Sequence, residues 1–359
     1  MRGIPEPSRA KHIADVKTAG ISILYVGAES GTSLDRANAL RRLGHEVDHI
    51  DLRALFGRNP WGPRITNKLG GHLFSPWMAR AVPALVQRAR YDLCYVDGGE
   101  LVTPRVIGVL RRYAATVINY NIDDPLGGRD GAKSTAYRRS VPHYDLCVVM
   151  RAANVAEAKA HGAKQVMRVN MTSDEIAHAP RVVSREDRER WDAPVLFMGT
   201  WFRERGPLLL DLIELGVPVT IRGANWHKAA EWPRLRPYWK SGPLRGDDYA
   251  KAIQCAKVNL GLLSKGNRDL HTTRSLEIPA LGGLLCAERT TEHLEMYQEG
   301  KEALFWSTVQ ECAAVCKEVL GNEPLRRQIA AAGHARSLSN GNCNENVMRS
   351  VVERAMSLR

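Results

Sequence analysis

The sequence has no window of about eighteen consecutive apolar residues, so no segment reads as a membrane span. Its opening, MRGIPEPSRAKHIADVKTAG, lacks the apolar stretch and small-residue cleavage site of a secretion signal, and the expected setting is the cytoplasm. The seven cysteines, at positions 94, 147, 255, 286, 312, 316 and 343, include no Cys-x-x-Cys pair. Several lie inside apolar runs such as YDLCYV and YDLCVVM, as free thiols do when they pack as small core residues in a reducing compartment. Cys312 and Cys316, on a helical pattern, read as packing. His143, His161, His271 and His293 never fall at a metal-ligand spacing, so no metal is expected. A dinucleotide fingerprint is missing as well. In the first strand-to-helix turn, VGAESGTSLDRANAL, Gly27 and Gly31 are separated by three residues and no acidic partner follows at the required distance, which excludes NAD. That turn either just lets the chain leave the sheet or lines a cleft. Internal repeats, low-complexity tracts and heptads are absent too.

What is present begins with size and rhythm. At 359 residues the chain exceeds what one hydrophobic core usually serves, so two domains are expected. Strand-length apolar runs alternate with helical patterns, first in ISILYVG, YDLCYVDGG, ATVINYNIDD, YDLCVVM and KQVMRVNM. The charged segment TSDEIAHAPRVVSREDRERWDAP breaks this rhythm and reads as a linker. Alternation then resumes in APVLFMGT, VPVTIRG, KVNLGLL, GLLCAE and ALFW. The predicted fold is α/β, with two tandem, doubly wound, Rossmann-like domains and a ligand cleft between them at the carboxyl ends of the strands. The expected boundaries are an extension at 1–20, a first domain at 21–175, a linker at 176–193, a second domain at 194–342 and a final helix at 343–359 that packs back on the first domain. The net charge of +12 favours polyanionic or phosphate-bearing partners, but the basic residues are dispersed, as in ALRRLG and VLRRYA, which fits solvated helix faces.

Three stretches carry candidate chemistry. In FMGTWFRERGP, Gly199 and Thr200 end a strand, and Arg203 and Arg205 precede a helix whose N-terminus offers amides to a phosphate. In SKGNRDLHTTRSLEIPALGG, a polar loop leaves a buried strand. There Lys265, Arg268 and Arg274 offer positive charge, Thr272 or Thr273 caps the next helix, and Glu277 offers a carboxylate suited to two sugar hydroxyls. Such a loop makes a nucleoside-diphosphate cradle, or else Arg268, Asp269, Arg274 and Glu277 merely satisfy one another. In the first half, Asp97, Asp123 and Asp124 are candidates for direct catalysis, although Asp-Asp-Pro also makes a turn with a capping carboxylate.

The block NRDLHTTRSLEIPALGGLLCAERTTEHLEMYQEGKEALFW closely resembles the signature of the CgeB-like glycosyltransferases, of the spore maturation protein type. These are relatives of the retaining glycosyltransferase family four, which has the two-domain GT-B fold. The likeness extends more weakly to GDDYAKAIQCAKVNLGLLSK, IRGANW, FMGTWFRER, YDLCYVDGG and NYNIDDP, covering most of residues 20–310. It implies that Glu277 grips the donor ribose and that Asp269, eight residues earlier, stands where the superfamily has a glutamate. It implies further that Arg205 and Lys265, with Arg274, neutralise the diphosphate, and that Gly223 and Trp226 lie beside the base unless the tryptophan is packing. Asn267 and Arg268 fall in the same donor set. The expected activity is metal-independent, retaining transfer of a sugar from a nucleotide sugar to an unidentified acceptor. Alternatives are a nucleotide-sugar epimerase using Asp97, Asp123 or His143, and a non-catalytic protein binding sugar nucleotides or nucleic acid.

Overall fold

The computed structural model describes residues 20–359, so nearly all of the expected N-terminal extension lies outside the described residues. Two six-stranded sheets form, and every strand pair in them is parallel. The first contains β1 (Ser22–Val26), β2 (Glu46–Ile50), β3 (Tyr91–Asp97), β4 (Ala114–Asn121), β5 (Leu146–Val149) and β6 (Val166–Arg168), in the order β2-β1-β3-β4-β5-β6. The second contains β7 (Ala193–Met198), β8 (Val219–Arg222), β9 (Trp239–Ser241), β10 (Ala256–Gly261), β11 (Leu285–Glu288) and β12 (Leu304–Trp306), in the order β12-β11-β10-β7-β8-β9. These are the two doubly wound halves expected from the alternation of apolar runs. Two strands escaped that reading. Both β2 and β9 are edge-side strands with half-solvated residues, so neither shows the continuous apolar run of a central parallel strand.

The strand order places the ligand sites. The chain turns back between β1 and β3 in the first sheet and between β7 and β10 in the second. At such switch points the flanking loops diverge and leave a crevice at the carboxyl ends of the strands. Val26, Asp97 and Asn121 close strands at the first crevice, and Met198 and Gly261 close strands at the second.

Each sheet buries apolar residues on both faces. Ile23, Tyr25, Tyr95 and Tyr120 fill one face of the first sheet, where the helices Gly31–Arg42 and Asn344–Met356 pack together. The final helix inserts Met348, Val351 and Ala355, and the Tyr95 hydroxyl donates to the Met348 sulfur at 3.2 Å. The helix Asn344–Met356 therefore packs on the domain that holds β1. Thr172 donates to Asn344 at 2.6 Å, and Arg42 reaches both Asp174 and Glu345, tying the end of the first sheet to the returning helix.

Met348→Ala should lower stability by about 2–5 kcal/mol, because the surrounding side chains cannot collapse fully into the space left. Leu338→Ala, at an exposed position, should stay within about 0.5 kcal/mol. Chemical unfolding of the two variants beside wild type checks the contrast.

Candidate active site

The first crevice is a cavity of about 330 Å³ lined by Gly27, Asp97, Gly99, Asp123, Lys133 and Tyr137, among others. The Gly27 turn thus lines a cleft. Of the three aspartates read as catalytic candidates, two are committed elsewhere. Asp97 receives Arg36 through two bonds, at 2.9 and 3.1 Å, together with the Tyr25 hydroxyl, and both partners of the ion pair are buried. A carboxylate held by three bonds from buried partners anchors the cavity wall. Asp124 is also buried. It accepts from Arg268 at 2.7 and 2.8 Å, from Asn154 at 2.7 Å and from the Gly127 amide at 3.0 Å. Burial alone would raise its pKa, but the Arg268 and Asn154 bonds outweigh that and hold it below the usual range. Asp123 differs: it opens to solvent in the cavity, and the crowding that strips water from its carboxyl lifts it above the usual range.

The second crevice is built around Arg205. Gly199 follows β7, and Gly223 follows β8 with φ 141°; a Cβ on Gly223 would lie 1.9 Å from the Gly199 carbonyl oxygen. Only glycine permits that approach. The Trp226 indole donates to the same Gly199 oxygen at 3.0 Å, and its ring packs edge-on against Phe197, almost wholly buried. Trp226 therefore braces the strand ends, and the expected contact with a base does not survive. Arg205, at the start of the helix Arg205–Glu214, donates to the carbonyls of Thr200, Leu262 and Leu263. It is buried, its Nε has no partner, and among the described residues it forms no ion pair with a carboxylate. Burial lowers its pKa to about 10, so it remains a cation at neutral pH. Its guanidinium lies 4.4 Å from the Phe202 ring centre, and Arg129, from the first domain, stacks on that ring at the same distance.

The loop between β10 and the helix Thr273–Ala280 departs most from expectation. Asn267, Arg268 and Asp269, read as donor-binding residues, instead hold the first domain. Arg129 donates to Ser264 at 2.6 Å and to Asn267 at 2.8 Å. Arg268 adopts a left-handed backbone, φ 54°, rare outside glycine, and makes four bonds to Asp124 and Glu157. Asp269 forms a buried ion pair with Arg151. Lys265 is largely exposed, with Glu288 at 3.8 Å. Thr272 occupies the helix cap position and its amide donates to Ser275 Oγ at 3.1 Å, while Thr273 opens the helix. Arg274 pairs with Glu277 and donates to the Met198 carbonyl at 3.2 Å. Glu277 is not on an exposed face. It is buried, accepts from Tyr249 and Arg274, and has His178 at 3.6 Å. Burial pushes its pKa up, yet Arg274, His178 and Tyr249 together hold it below the usual carboxylate range.

Arg36, Arg129, Arg151, Tyr249 and His178 complete these sites and were not singled out from sequence. Their partners lie far along the chain, so no local spacing marks them; the nearest to a signal is Arg151, directly after the apolar run of β5. Cys312 and Cys316, read as packing residues, are buried in the core, but their neighbour Cys286 was not singled out from sequence. Cys286 from β11 meets Cys312 and Cys316 of the helix Val309–Gly321, with all three sulfurs within 4.8 Å of one another. They sit in the apolar cluster of Val258, Leu260 and Leu304.

Behind the helix Thr273–Ala280 stands His293. Its Nδ1 donates to the Glu288 carbonyl at 2.6 Å, so its Nε2 accepts from the Ser275 hydroxyl at 2.7 Å. Burial lowers its pKa to about 4 from 6.5. The unfolded chain then binds this proton more readily than the folded one, so the contribution is full above pH 6.5 and falls away as the pH drops towards 4. Wild type should lose about 3 kcal/mol more over that window than His293→Gln, as read by unfolding at several pH values. Asp269→Asn should cost about 3–5 kcal/mol at neutral pH by stranding the buried Arg151 charge, and replacing both partners with apolar residues should recover most of that loss. The same unfolding measurement checks it.

Residues 203–351 match the family model described as glycosyl transferase-like. No curated protein matches the sequence. Among solved structures, sucrose-phosphate synthase from Thermosynechococcus elongatus is similar with a TM-score of 0.66 at 13% identity, over 94% of this chain and 98% of that one. The Anabaena protein HepE, in complex with UDP and glucose, gives 0.63 at 14% identity over 94% and 100%. The trehalose 6-phosphate synthase of Burkholderia multivorans gives 0.59 at 11% identity over 95% and 99%. The chain has the GT-B fold of these proteins and carries a glycosyl transferase-like domain across residues 203–351.

Proposed function

We propose that the protein transfers a sugar from a nucleoside-diphosphate sugar, held at the second crevice, to an acceptor in the cavity of the first domain. The observation that carries this reading is Arg205, a buried guanidinium at a switch point with no carboxylate partner among the described residues. A cation kept out of water without a counter-ion is costly unless it has an anion to meet, and a diphosphate is such an anion. Breaking the bond from the sugar to the diphosphate builds negative charge on the leaving group, which Arg205 stabilises with Arg129 and Arg274. In this reading those side chains supply the charge that a divalent ion supplies elsewhere. UDP bound to the similarly folded HepE supports a nucleotide donor.

Arg274 has a second part. On donor binding it leaves Glu277 for the diphosphate, exchanging one anion for another, and the freed carboxylate accepts from the ribose hydroxyls. Asp123, the solvent-exposed aspartate of the cavity, takes the proton of the acceptor hydroxyl. Retention of configuration, a cytoplasmic setting and kinship with the CgeB-like enzymes complete the proposal. The epimerase alternative fits less well, because Asp97 is locked by Arg36 and Tyr25, and His143 precedes β5 at the opposite end of the sheet from the cavity.

UDP should bind in the presence of a chelator with the same affinity as without. Arg205→Lys keeps a cation but loses the planar donor set, and should bind UDP about ten- to a hundredfold more weakly. Calorimetric titration beside a melting curve tests both points. A chelator-dependent loss would overturn the metal-free donor site, and wild-type affinity in a folded Arg205→Lys would overturn the assignment of the diphosphate.

A further inference from the structure

The stretch between β2 and β3 carries a surface that sugar transfer does not use. From Leu52 to Arg90 the sequence holds seven basic residues and neither aspartate nor glutamate. The helix Trp61–Leu69 and the segment after it expose Trp61 (63%), Leu69 (56%), Leu73 (52%) and Trp77 (42%). All four fall within one short segment, residues 61–77. The rings of Phe56, Phe74 and Trp77 form an edge-on cluster with centres 4.9–6.2 Å apart, and the helix Trp61–Leu69 packs against both the Leu52–Phe56 turn and the Gly71–Phe74 turn. Arg58, Arg64, Lys68 and Arg80 surround them, exposed and without an ion pair among the described residues, whereas Arg53 and Arg88 nearby do have carboxylate partners. The Arg64 guanidinium lies 5.5 Å from the Trp61 ring centre.

We propose that this face docks on an anionic lipid surface, with the two tryptophans and two leucines entering the interface and the unpaired cations meeting the headgroups. Amphipathic helices with tryptophan on the apolar side and lysine or arginine at the rim are built for that boundary, where indole rings sit at headgroup depth. A second copy of the same face would set cations against cations, so charge argues against self-pairing. No helix among the described residues is long and apolar enough to cross a membrane.

The position of the patch gives it a role. At the joint Gly70–Gly71 the chain presses on the cavity wall: a Cβ on Gly70 would lie 2.3 Å from the Ala132 carbonyl oxygen, and one on Gly71 would lie 2.1 Å from that of Glu100. Glu100, Lys133 and Ser134 line the cavity that holds Asp123. Docking therefore sets that cavity beside the headgroups, within reach of an acceptor carried on lipid. The docking itself stands apart from the transfer reaction and is tested without it.

The 359-residue protein is sedimented with vesicles of phosphatidylcholine alone or mixed with phosphatidylglycerol. Binding is expected only to the mixed vesicles, with release at high salt. Arg64→Gln/Lys68→Gln should bind at least about tenfold more weakly, and so should Trp61→Ser/Leu73→Ser, each with a wild-type melting temperature. Failure to bind mixed vesicles, or unchanged binding by both variants, overturns the proposal. So does self-association that Trp61→Ser/Leu73→Ser abolishes in the absence of any vesicle binding, which would assign the face to a second copy of the chain.

Discussion

The ion pairs that cross between the two sheets, Arg151 with Asp269 and Arg268 with Asp124 and Glu157, fix where each half of the site stands. The first of these is buried on both sides, and its geometry leaves little slack, because a charge pulled out of register in a dry interior has no water to turn to. Arg268 even accepts a left-handed backbone to reach its partners. A loop that the sequence shows as a charged connection thus acts as a strut: its polar side chains face the first domain, and its backbone carries the chain from β10 to the helix Thr273–Ala280.

That commitment also shapes the electrostatics. Asp269, an acid near Arg205, is taken by Arg151, and Glu277 is taken by Arg274. Arg205 is left with carbonyl oxygens and an aromatic ring, neither of which cancels a full charge. Across the interface the balance is the reverse. Asp97 is cancelled by Arg36, and Asp123, exposed in the cavity, is left with a carboxyl that its crowded surroundings make more basic. In the proposed reaction a cation waits where the leaving group gains negative charge, and a carboxylate waits where the acceptor gives up a proton. At Arg205 burial strengthens the effect because it removes competing water.

The helix that carries Arg274 and Glu277 is short and has Pro279 inside it, so its own backbone bonds are too few to hold it. Support comes from behind. His293 and Tyr297 bond to Ser275 from the far side, and His334 of the helix Glu323–Ser339 meets the Pro279 carbonyl at 2.9 Å. These residues set the position of Arg274 and Glu277.

Much of the architecture was legible in the sequence. Central parallel strands are apolar throughout, so YDLCYVDGG, KVNLGLL and their counterparts announce themselves, and their alternation with helical patterns yields two doubly wound sheets. The chemistry-bearing loops could be located for the same reason, since they follow directly from those strands. Edge strands such as EVDHI, half in water, leave no such mark. Roles within the loops were another matter. Arg268, Asp269, Arg274 and Glu277 read equally as a cradle or as mutually satisfied charges, and the actual partners of the first two, Asp124, Glu157 and Arg151, lie more than a hundred residues away along the chain. A side chain's charge is written in the sequence, whereas its counter-ion is chosen by whichever distant segment the fold brings within about 3 Å. The sequence by itself therefore determined the sheets and the positions of the loops. Only the tertiary structure decided which charges cancel and which, like Arg205 and Asp123, are left to act.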